Sequence, residues 1–154
     1  MPIKLAGKLA SRGNRAAGYN CPIDRTMKVI GARSTMLLMR EAYYGTTRFD
    51  AFAARTGITE AVTSKHLRDL VAAGLLTREP YQEPGQRTRH EYVLTESGRD
   101  LMPAVFALGQ WGRKHLPREG SPWMTHDGCD ASVTVGLHCA NGHDVDADAL
   151  VISN

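Results

Sequence analysis

One side of a predicted helix over residues 59–73 carries small, hydroxyl and cationic side chains at Thr59, Ala61, Ser64, Lys65 and Arg68. Ammonium and guanidinium groups pair with phosphate oxygens, and hydroxyl and guanidinium groups also form hydrogen bonds to the edges of bases. The small side chains between them allow the helix to approach a groove closely. These residues therefore predict binding of a nucleic acid, with an ordinary solvated helix face as the alternative.

A second group of cations lies in a predicted β-hairpin that follows this helix. Strand patterns at residues 75–81 and 90–95 flank a turn signal that contains proline and glycine. Arg87 and Arg89 come just past the tip of that turn. A basic hairpin in this position can reach phosphates or a minor groove. The order of helix, glycine, two leucines, strand, basic loop and strand predicts a wing.

Two short helices joined by a glycine turn position the first group of side chains. The first is predicted over residues 49–56, and Gly57 is the left-handed residue that ends it. The second follows Thr59 as its N-cap and presents an apolar stripe to a core. The stripe consists of Thr63, Leu67 and Leu70. This pattern predicts a helix-turn-helix, whose second helix enters the major groove, although periodicity alone leaves an ordinary helical pair open.

Two further helices are predicted before this pair. One opens at Cys21-Pro22, with proline at its favoured first position, and runs to about Ala32. The other covers residues 34–44 and is so apolar that we expect it to be central to the core. Residues 46–49 are expected to supply a stub of strand that completes a three-stranded wing sheet.

The last predicted helix starts at a capping box, Ser97-x-x-Asp100, and runs towards His115. Pro103 is expected to kink this helix or to delay its start. The helix carries two apolar stripes, which is more than one small domain needs. The second stripe is best explained by a partner subunit, which a reader of a two-fold symmetric DNA site requires. The stripes consist of Leu101, Val105 and Leu108, and of Met102, Phe106 and Trp111.

Charge is distributed unevenly along the 154 residues, whose net charge is +3. Residues 1–20 carry four basic and no acidic side chains, whereas residues 117–154 carry one basic side chain against six acidic ones. The sequence therefore predicts a flexible basic arm over residues 1–20, a polyanion-binding domain over residues 21–116 and an acidic tail over residues 117–154. An asymmetry that only aids solubility is the alternative.

The sequence predicts neither export nor membrane insertion. No apolar run approaches transmembrane length, and residues 1–20 lack the hydrophobic segment of a signal peptide. The three cysteines form no disulfide-like framework, which suits a reducing compartment. We therefore expect a cytoplasmic protein.

Several motifs recur in one order between residues 21 and 116. They are Cys21-Pro22-Ile23, Ile30-Gly31, residues 35–40 (TMLLMR), Gly45 with Arg48-Phe49, Leu67-Arg68-Asp69-Leu70, Ala73-Gly74-Leu75 and Tyr92-x-Leu94-Thr95-x-x-Gly98. Together they resemble the HxlR family of bacterial winged-helix transcriptional regulators. The resemblance implies a mainly α fold with a small β-sheet, a winged helix-turn-helix that forms a homodimer through its first and last helices. It also implies binding of double-stranded DNA at a palindromic operator, usually as a repressor.

The expected DNA contacts involve seven residues. Three residues of the recognition helix are expected to face the groove, and two near its start are expected to contact the DNA backbone. Two arginines of the wing are expected to reach phosphates or the minor groove. In that order, the residues are Ser64, Lys65 and Arg68, then Thr59 and Arg48, then Arg87 and Arg89.

Two positions depart from the family pattern. The family generally has tryptophan or another large residue where Ser34 stands, and a large apolar residue where Thr63 stands. We expect the first change to alter a core contact and the second to loosen the recognition helix. Neither change removes a group that is expected to face DNA.

Cys21 is a candidate redox sensor because it lies at a predicted helix N-terminus, where the helix dipole stabilises a thiolate. Arg25 and Lys28 follow within two turns. Some members of the resembled family sense electrophiles or oxidants through a cysteine in this position. A small residue packed at the dimer interface is the alternative for Cys21.

The acidic tail contains two pairs of zinc-type ligands. They are His126-x-x-Cys129 and Cys139-x-x-x-His143, separated by nine residues that include a predicted strand at residues 132–137. Two histidines and two cysteines can form a tetrahedral zinc site, and a metal would explain how a tail with little core of its own becomes ordered. The second pair lacks the tighter Cys-x-x-Cys spacing, so a tail without metal stays open.

Enzyme signatures are weak in this sequence. No Ser/His/Asp grouping, nucleotide-binding glycine loop or paired-carboxylate motif stands out. The alternative to operator binding is a winged-helix module that binds protein or RNA. A metal-dependent enzyme built on the tail ligands is a third hypothesis, which loss of a catalytic rate on metal removal would distinguish.

Overall fold

The computed structural model of the protein describes residues 3–14 and 21–153. These residues form helices and short strands, which confirms the predicted mainly α class with a small β-sheet. In chain order the elements are β1 (Lys4–Leu5), α1 (Pro22–Ile30), α2 (Arg33–Tyr43), α3 (Phe49–Thr56), α4 (Glu60–Ala72), β2 (Leu76–Tyr81), β3 (Arg89–Leu94), α5 (Glu96–Asp100), α6 (Met102–His115) and β4 (Val151–Ile152). None of these helices is both long enough and apolar enough to cross a membrane.

The chain divides into two compact units. One is Tyr19–Leu108, and the other combines Met1–Gly18 with Gly109–Asn154. The second half of α6 groups with the tail in this division, and the predicted boundary after residue 116 stays a prediction.

The core of the first unit is formed where α2, α3, α4 and β2 meet. The predicted central helix is confirmed as α2, which buries Leu38 and Met39 completely. The largest other fully buried apolar side chains are Phe52, Leu67, Leu70 and Leu76. Full burial of side chains of this size contributes about 1.5–3 kcal/mol each, so this cluster holds the three helices together.

A tight turn sets the angle between α3 and α4. Gly57 ends α3 in the left-handed region with φ of 65°, as predicted. The hydroxyl of Thr56 donates to Phe52 O at 2.7 Å and lies 3.4 Å from the amide of Ile58. Thr59 is then the N-cap of α4, although its side chain makes no capping hydrogen bond. These local contacts satisfy the backbone between the helices and fix the helix-turn-helix.

The hairpin of β2 and β3 is antiparallel, with Leu76 opposite Leu94 and Tyr81 opposite Arg89. The predicted third strand is only a single bridge, in which Arg48 pairs with Glu91. The amide of Tyr92 donates to Thr47 O at 2.8 Å in the same place. The hairpin is therefore attached to the segment that leads into α3.

The predicted capping box at Ser97 and Asp100 is wrong. Thr95 is the N-cap of α5, and its hydroxyl accepts a 3.0 Å hydrogen bond from the amide of Gly98. The same hydroxyl donates to Gly74 O at 2.6 Å, so a contact distant in sequence selects the cap. The delayed start expected from Pro103 is seen, because α6 begins at Met102 after a break at Leu101.

The second unit has little core. None of residues 102–153 is buried. The predicted strand over residues 132–137 is wrong. The amide of Val135 donates to Gln110 Oε1 at 2.7 Å and its carbonyl accepts from Gln110 Nε2 at 3.0 Å, so neither group is available for pairing with a strand. Two short hairpins form instead, one closed by a bridge between Thr125 and Ser132 and one by a bridge between His138 and Asp144.

The predicted flexible arm over residues 1–20 falls partly outside the described residues, at positions 1–2 and 15–20. The described part is not a free extension. Its strand β1 pairs in parallel with β4, with Lys4 opposite Val151 and Leu5 opposite Ile152. Alternation of polar and apolar residues over so short a stretch gives no usable strand signal, which is why the pairing was not predicted.

Candidate nucleic-acid interface

The recognition helix α4 separates a buried face from an exposed one. Thr63, Leu67 and Leu70 lie in the core. Lys65 and Arg68 are exposed on the opposite side, and Ser64 is half-buried at its edge. The structure therefore places the three groove-facing candidates on one accessible surface. Arg68 makes no ion pair or hydrogen bond to any other described residue, so its guanidinium is available to a ligand.

Lys65 differs from Arg68 because it has a partner on its own helix. Its ammonium nitrogen lies 2.7 Å from Asp69 Oδ2, one turn further along α4. The hydrogen bond from Lys65 lowers the pKa of the Asp69 carboxyl group. Sequence reasoning passed over this carboxylate, although the spacing of four residues predicts such a pair. The exposed side of α4 thus carries the Asp69 carboxylate beside its cations.

His66 fixes the position of α4 against α2. Its Nδ1 is hydrogen bonded to the buried hydroxyl of Thr35 at 3.1 Å and lies 3.8 Å from Asp69 Oδ2. Thr63 contributes a second polar contact in the core, where its hydroxyl donates to Ile58 O at 3.5 Å. The recognition helix therefore has polar anchors on its inner side as well as an apolar stripe.

The hydroxyl of Thr59 is exposed at the start of α4 and is not used for capping. It can donate to a phosphate oxygen that approaches the positive end of the helix dipole. Glu60 follows directly and is also exposed, so the first turn has an acid beside this hydroxyl. The predicted backbone contact at Thr59 is accessible in the structure.

Arg48, the second predicted backbone contact, is held by the wing. Its guanidinium carbon lies 3.3 Å from the ring centroid of Tyr81. It also forms ion pairs with Glu83 at 3.5 Å and with Glu91 at 3.8 Å. A phosphate at Arg48 would compete with these two carboxylates. Arg48 therefore joins the segment before α3 to the hairpin, a role that its type and local spacing did not predict.

The wing arginines Arg87 and Arg89 are exposed, as predicted. They line a concave surface that the hairpin forms with the start of α3. This concavity has a volume of about 510 Å³. Arg78 and His90, which the sequence analysis missed, line the same surface. They contact each other across the strands, with 3.1 Å between Arg78 Nη2 and His90 Nδ1. Strand alternation could have found them, because the register puts residues 78, 90 and 92 on one face of the hairpin.

Cys21 is the N-cap residue of α1 and is half-buried with a free thiol. Its side chain makes no capping hydrogen bond. Of the two cations expected near it, Lys28 forms an ion pair with Asp24 at 2.7 Å. The helix terminus is therefore where the sequence placed it, but one of its neighbouring charges is matched by an acid in the first turn.

The zinc-type ligands of the tail lie as two separate pairs. In the first pair, His126 Nδ1 lies 3.3 Å from Cys129 Sγ. In the second, the amide of Cys139 donates to His143 O at 3.0 Å, and the backbone amide of His143 lowers the pKa of the Cys139 thiol. Across residues 3–14 and 21–153, no three metal-ligating side chains lie together.

Comparison with protein families gives a match to the HxlR-like helix-turn-helix family over residues 29–120. An uncharacterised HTH-type transcriptional regulator of Mycobacterium tuberculosis is 41% identical over 121 residues, which cover 77% of this chain and 75% of the relative. Among solved structures, the proposed transcription factor PA1607 superposes with a TM-score of 0.78 at 29% identity and covers 88% of this chain and 96% of its own.

The redox regulator HypR in its oxidised form is a further structural neighbour. It superposes with a TM-score of 0.56 at 34% identity and covers 62% of this chain and 97% of its own. The family match confirms the resemblance carried by the motifs between residues 21 and 116. It also confirms that the helix-turn-helix belongs to a transcriptional regulator and not to an enzyme.

Proposed function

Because this chain belongs to the HxlR-like helix-turn-helix family of transcriptional regulators, we propose that it binds a palindromic operator as a homodimer and represses transcription from it. Family membership supplies the DNA-binding helix-turn-helix. The operator symmetry, the dimer and the direction of regulation are the proposal, and the repressor role rests on the family resemblance. Such a protein acts on the chromosome in the cytoplasm.

The observation that carries the proposal is the accessible side of α4 next to a basic wing. Arg68 is exposed and free of ion pairs among the described residues, and Ser64 lies beside it. An arginine on a recognition helix can bind both acceptors of a guanine in the major groove. We therefore assign base recognition to Ser64 and Arg68. We assign a weaker phosphate contact to Lys65, because its ammonium group forms an ion pair with Asp69.

The wing supplies the contacts that do not depend on sequence. Arg87, Arg89, Arg78 and His90 border one concave surface with a single carboxylate, Asp50, in its lining. A surface of this charge attracts a phosphate chain and gives an affinity that falls with salt. Thr59 adds a hydroxyl at the start of α4, whereas a contact from Arg48 requires it to leave Glu83 and Glu91.

Exposed apolar side chains on the first and last helices support the dimer. On α1, Ile23 is 73% exposed and Met27 is 49% exposed. On α6, Leu108 and Trp111 are 57% and 58% exposed. Large apolar side chains in such positions are typical of protein interfaces. A two-fold dimer would place its recognition helices about 34 Å apart, one turn of DNA, which requires an operator with inverted half-sites.

The test is footprinting and gel-shift titration of the DNA upstream of the gene, together with sedimentation of the protein alone. We expect a protected inverted repeat and a dimer. Arg68→Ala should weaken binding to the operator by about 1–3 kcal/mol and have a smaller effect on a scrambled site. Arg118→Ala, which removes the same charge from the tail, is the matched control. Equal affinity of wild type and Arg68→Ala on both DNAs would contradict the assignment of Arg68.

We further propose that Cys21 makes this regulator responsive to oxidants or electrophiles. The half-buried free thiol at the N-terminus of α1 supports this, as does the similarity to the redox regulator HypR. The thiolate would add to an electrophilic carbon–carbon double bond and form a sulfur–carbon bond, or it would attack hydrogen peroxide, break the O–O bond and become a sulfenic acid with release of hydroxide. Either modification of Cys21 lies at the start of α1. It would disturb the packing of the apolar side chains of α1 that are assigned to the dimer.

Cys21→Ser and Cys21→Ala distinguish the sensor from a packing role. Both variants are expected to bind the operator like the wild type in reducing buffer. Peroxide or a thiol-reactive electrophile should then release the wild type but neither variant. Loss of operator binding by both variants before any treatment would instead identify Cys21 as a packing residue.

A further inference from the structure

The tail is ordered without an apolar core. None of residues 117–153 is buried, and only a few apolar side chains such as Trp123, Val135 and Val145 are half-buried. Fixing the backbone of a segment costs conformational entropy that burial normally offsets. Short domains that lack enough core usually gain stability from a disulfide or a metal. All three cysteines of the chain are free, which leaves a metal as the candidate.

The first hairpin of the tail ends in a turn built from a histidine and a cysteine. The amide of His126 donates to Ala131 O at 2.9 Å and closes the turn. Within it, the amides of Cys129 and Asp130 both donate to His126 O, at 3.2 and 2.8 Å. These bonds bring the imidazole and the thiol of this pair to 3.3 Å.

Asp130, directly after Cys129, has φ of 55° and is the one non-glycine residue in the left-handed region among residues 3–14 and 21–153. Aspartate adopts this conformation more readily than most residues with a Cβ, because its short polar side chain can form local hydrogen bonds. Here the left-handed residue reverses the chain immediately after the second ligand of the pair.

The second hairpin repeats this arrangement. The amide of Cys139 donates to His143 O at 3.0 Å, and the amide of Val145 donates to Leu137 O at 2.9 Å. Gly142, with φ of 81°, makes the left-handed step at the tip. Cys139 and His143 are both exposed there. Each hairpin tip of the tail therefore presents one thiol and one imidazole on a tight turn.

We propose that the two hairpin tips together bind one Zn²⁺ ion through His126, Cys129, Cys139 and His143. Two nitrogen and two sulfur ligands match the tetrahedral preference of zinc, whereas magnesium and calcium require oxygen ligands. The two pairs lie apart in the structure. Zinc would draw the second tip onto the first, and its binding energy would replace the missing core as the source of order.

His138 provides a test of which histidine is the ligand. It is adjacent to Cys139, and its Nδ1 is paired with Asp144 Oδ1 at 2.8 Å across the hairpin. A carboxylate at Nδ1 leaves Nε2 able to bind a metal, so this pair does not decide between the two histidines. We assign His143, whose carbonyl accepts the hydrogen bond from Cys139 that closes the tip, and the two histidines serve as a matched pair for substitution.

The experiment is zinc analysis of the full-length protein after gel filtration, followed by replacement with Co²⁺. We expect one zinc per chain and the visible absorption of tetrahedral cobalt with a thiolate charge-transfer band. Cys129→Ser, Cys139→Ser and His143→Gln should lose stoichiometric zinc, whereas His138→Gln and Cys21→Ser should keep it. Wild-type protein without zinc, or retention of zinc by both Cys129→Ser and Cys139→Ser, would overturn the proposal.

A second measurement does not depend on whether the variants fold. Wild-type protein is alkylated with a thiol reagent, with and without added Zn²⁺, and the labelled cysteines are identified by mass spectrometry. Zinc should protect Cys129 and Cys139 and leave the labelling of Cys21 unchanged. Equal labelling of the two tail cysteines in both conditions would refute the site. Neither measurement involves DNA, so the result is independent of the proposed operator binding.

Discussion

The guanidinium of Arg48 stacks on the ring of Tyr81, with 3.3 Å from its carbon to the ring centroid. Arg48 is the N-cap residue of α3, and Tyr81 is the last residue of β2. The contact therefore joins the start of the helix-turn-helix to the loop end of the hairpin. Arg48 also forms ion pairs with Glu83 and Glu91 of the hairpin, which attach it to the wing as well. Together with the backbone bridge between Arg48 and Glu91 and the hydrogen bond from the amide of Tyr92 to Thr47 O, this contact holds the wing to the segment before α3.

We expect Arg48→Ala to lower the free energy of unfolding by about 1 kcal/mol, because a cation over an aromatic ring contributes about 0.5–2 kcal/mol. Tyr81→Ala removes the same contact from the other side and should cost a similar amount. The double variant should cost little more than either single variant, since the two side chains share one interaction. Thermal unfolding of the four proteins measures this coupling.

DNA titrations of these variants at several salt concentrations separate a positioning role from a phosphate contact. If Arg48 also binds a phosphate, Arg48→Ala should reduce the salt dependence of binding by about one counterion, whereas Tyr81→Ala should leave it unchanged. Equal salt slopes for wild type and Arg48→Ala, with weaker binding, would leave Arg48 as a residue that only positions the wing.

A second prediction concerns the hydroxyl of Tyr43, which donates to Gly98 O at 2.8 Å. Tyr43→Phe should lower the free energy of unfolding by about 1 kcal/mol at neutral pH, the typical contribution of such a hydrogen bond. Burial raises the pKa of Tyr43 to about 12. The folded state therefore keeps this proton in a pH range where the unfolded state, near its usual value of about 10, has lost it.

The sign of this pH dependence follows from proton linkage. Between pH 10 and 12 the folded state binds more protons than the unfolded state, so stability falls as the pH rises through this range. The contribution is fully present below pH 10. In Tyr43→Phe this part of the pH dependence should be absent. Lysines also titrate in this pH range, but they change the stability of both proteins equally. Parallel denaturation curves for the two proteins from pH 9 to 12 would contradict the assignment.

The third prediction compares two helical glycines. A Cβ at Gly98 would lie 2.1 Å from Leu75 O, a backbone atom that cannot move without disturbing the strand that follows. Gly98→Ala should therefore cost about 3 kcal/mol, at the upper end for overpacking. Gly112, in α6, has no atom within 4 Å of its Cβ position. Gly112→Ala should stabilise the helix by about 1 kcal/mol, and thermal unfolding should show opposite shifts.

The helices of the first unit could be predicted because their apolar periodicity and end signals are local. Gly57 and the stripe of Thr63, Leu67 and Leu70 placed α3 and α4 within a residue or two of their observed bounds. The exposed positions of Lys65 and Arg68 follow from the same periodicity. Where neighbouring residues along one element decide the structure, the sequence pattern was sufficient.

The contacts that the sequence did not predict join residues that are distant along the chain. Arg48 and Glu83 are 35 residues apart, and Thr95 caps α5 while binding the carbonyl of Gly74, 21 residues before it. In the tail, Gln110 takes the backbone groups of Val135 and prevents the predicted strand. No local spacing encodes these pairs. Asp69 is a different case, since its spacing from Lys65 was readable in the sequence.

The carboxylate of Asp69 leads to the last prediction. It accepts a 2.7 Å hydrogen bond from Lys65 on the surface assigned to DNA, and its own charge repels the phosphate chain. Asp69→Asn should therefore strengthen binding to any duplex by several-fold and leave the ratio of operator to scrambled affinity unchanged. Stability should change little, because the ion pair is exposed to solvent, which screens it.

Two controls separate release of Lys65 from a general change in charge. Glu60→Gln removes an acid from the first turn of the same helix without releasing Lys65, so it should increase affinity less than Asp69→Asn. In a Lys65→Ala background, Asp69→Asn should lose most of its effect, because no ammonium remains to be released. If Asp69→Asn gives the same gain with and without Lys65, the pair does not restrain DNA binding, and Asp69 acts only through its own repulsion of phosphate.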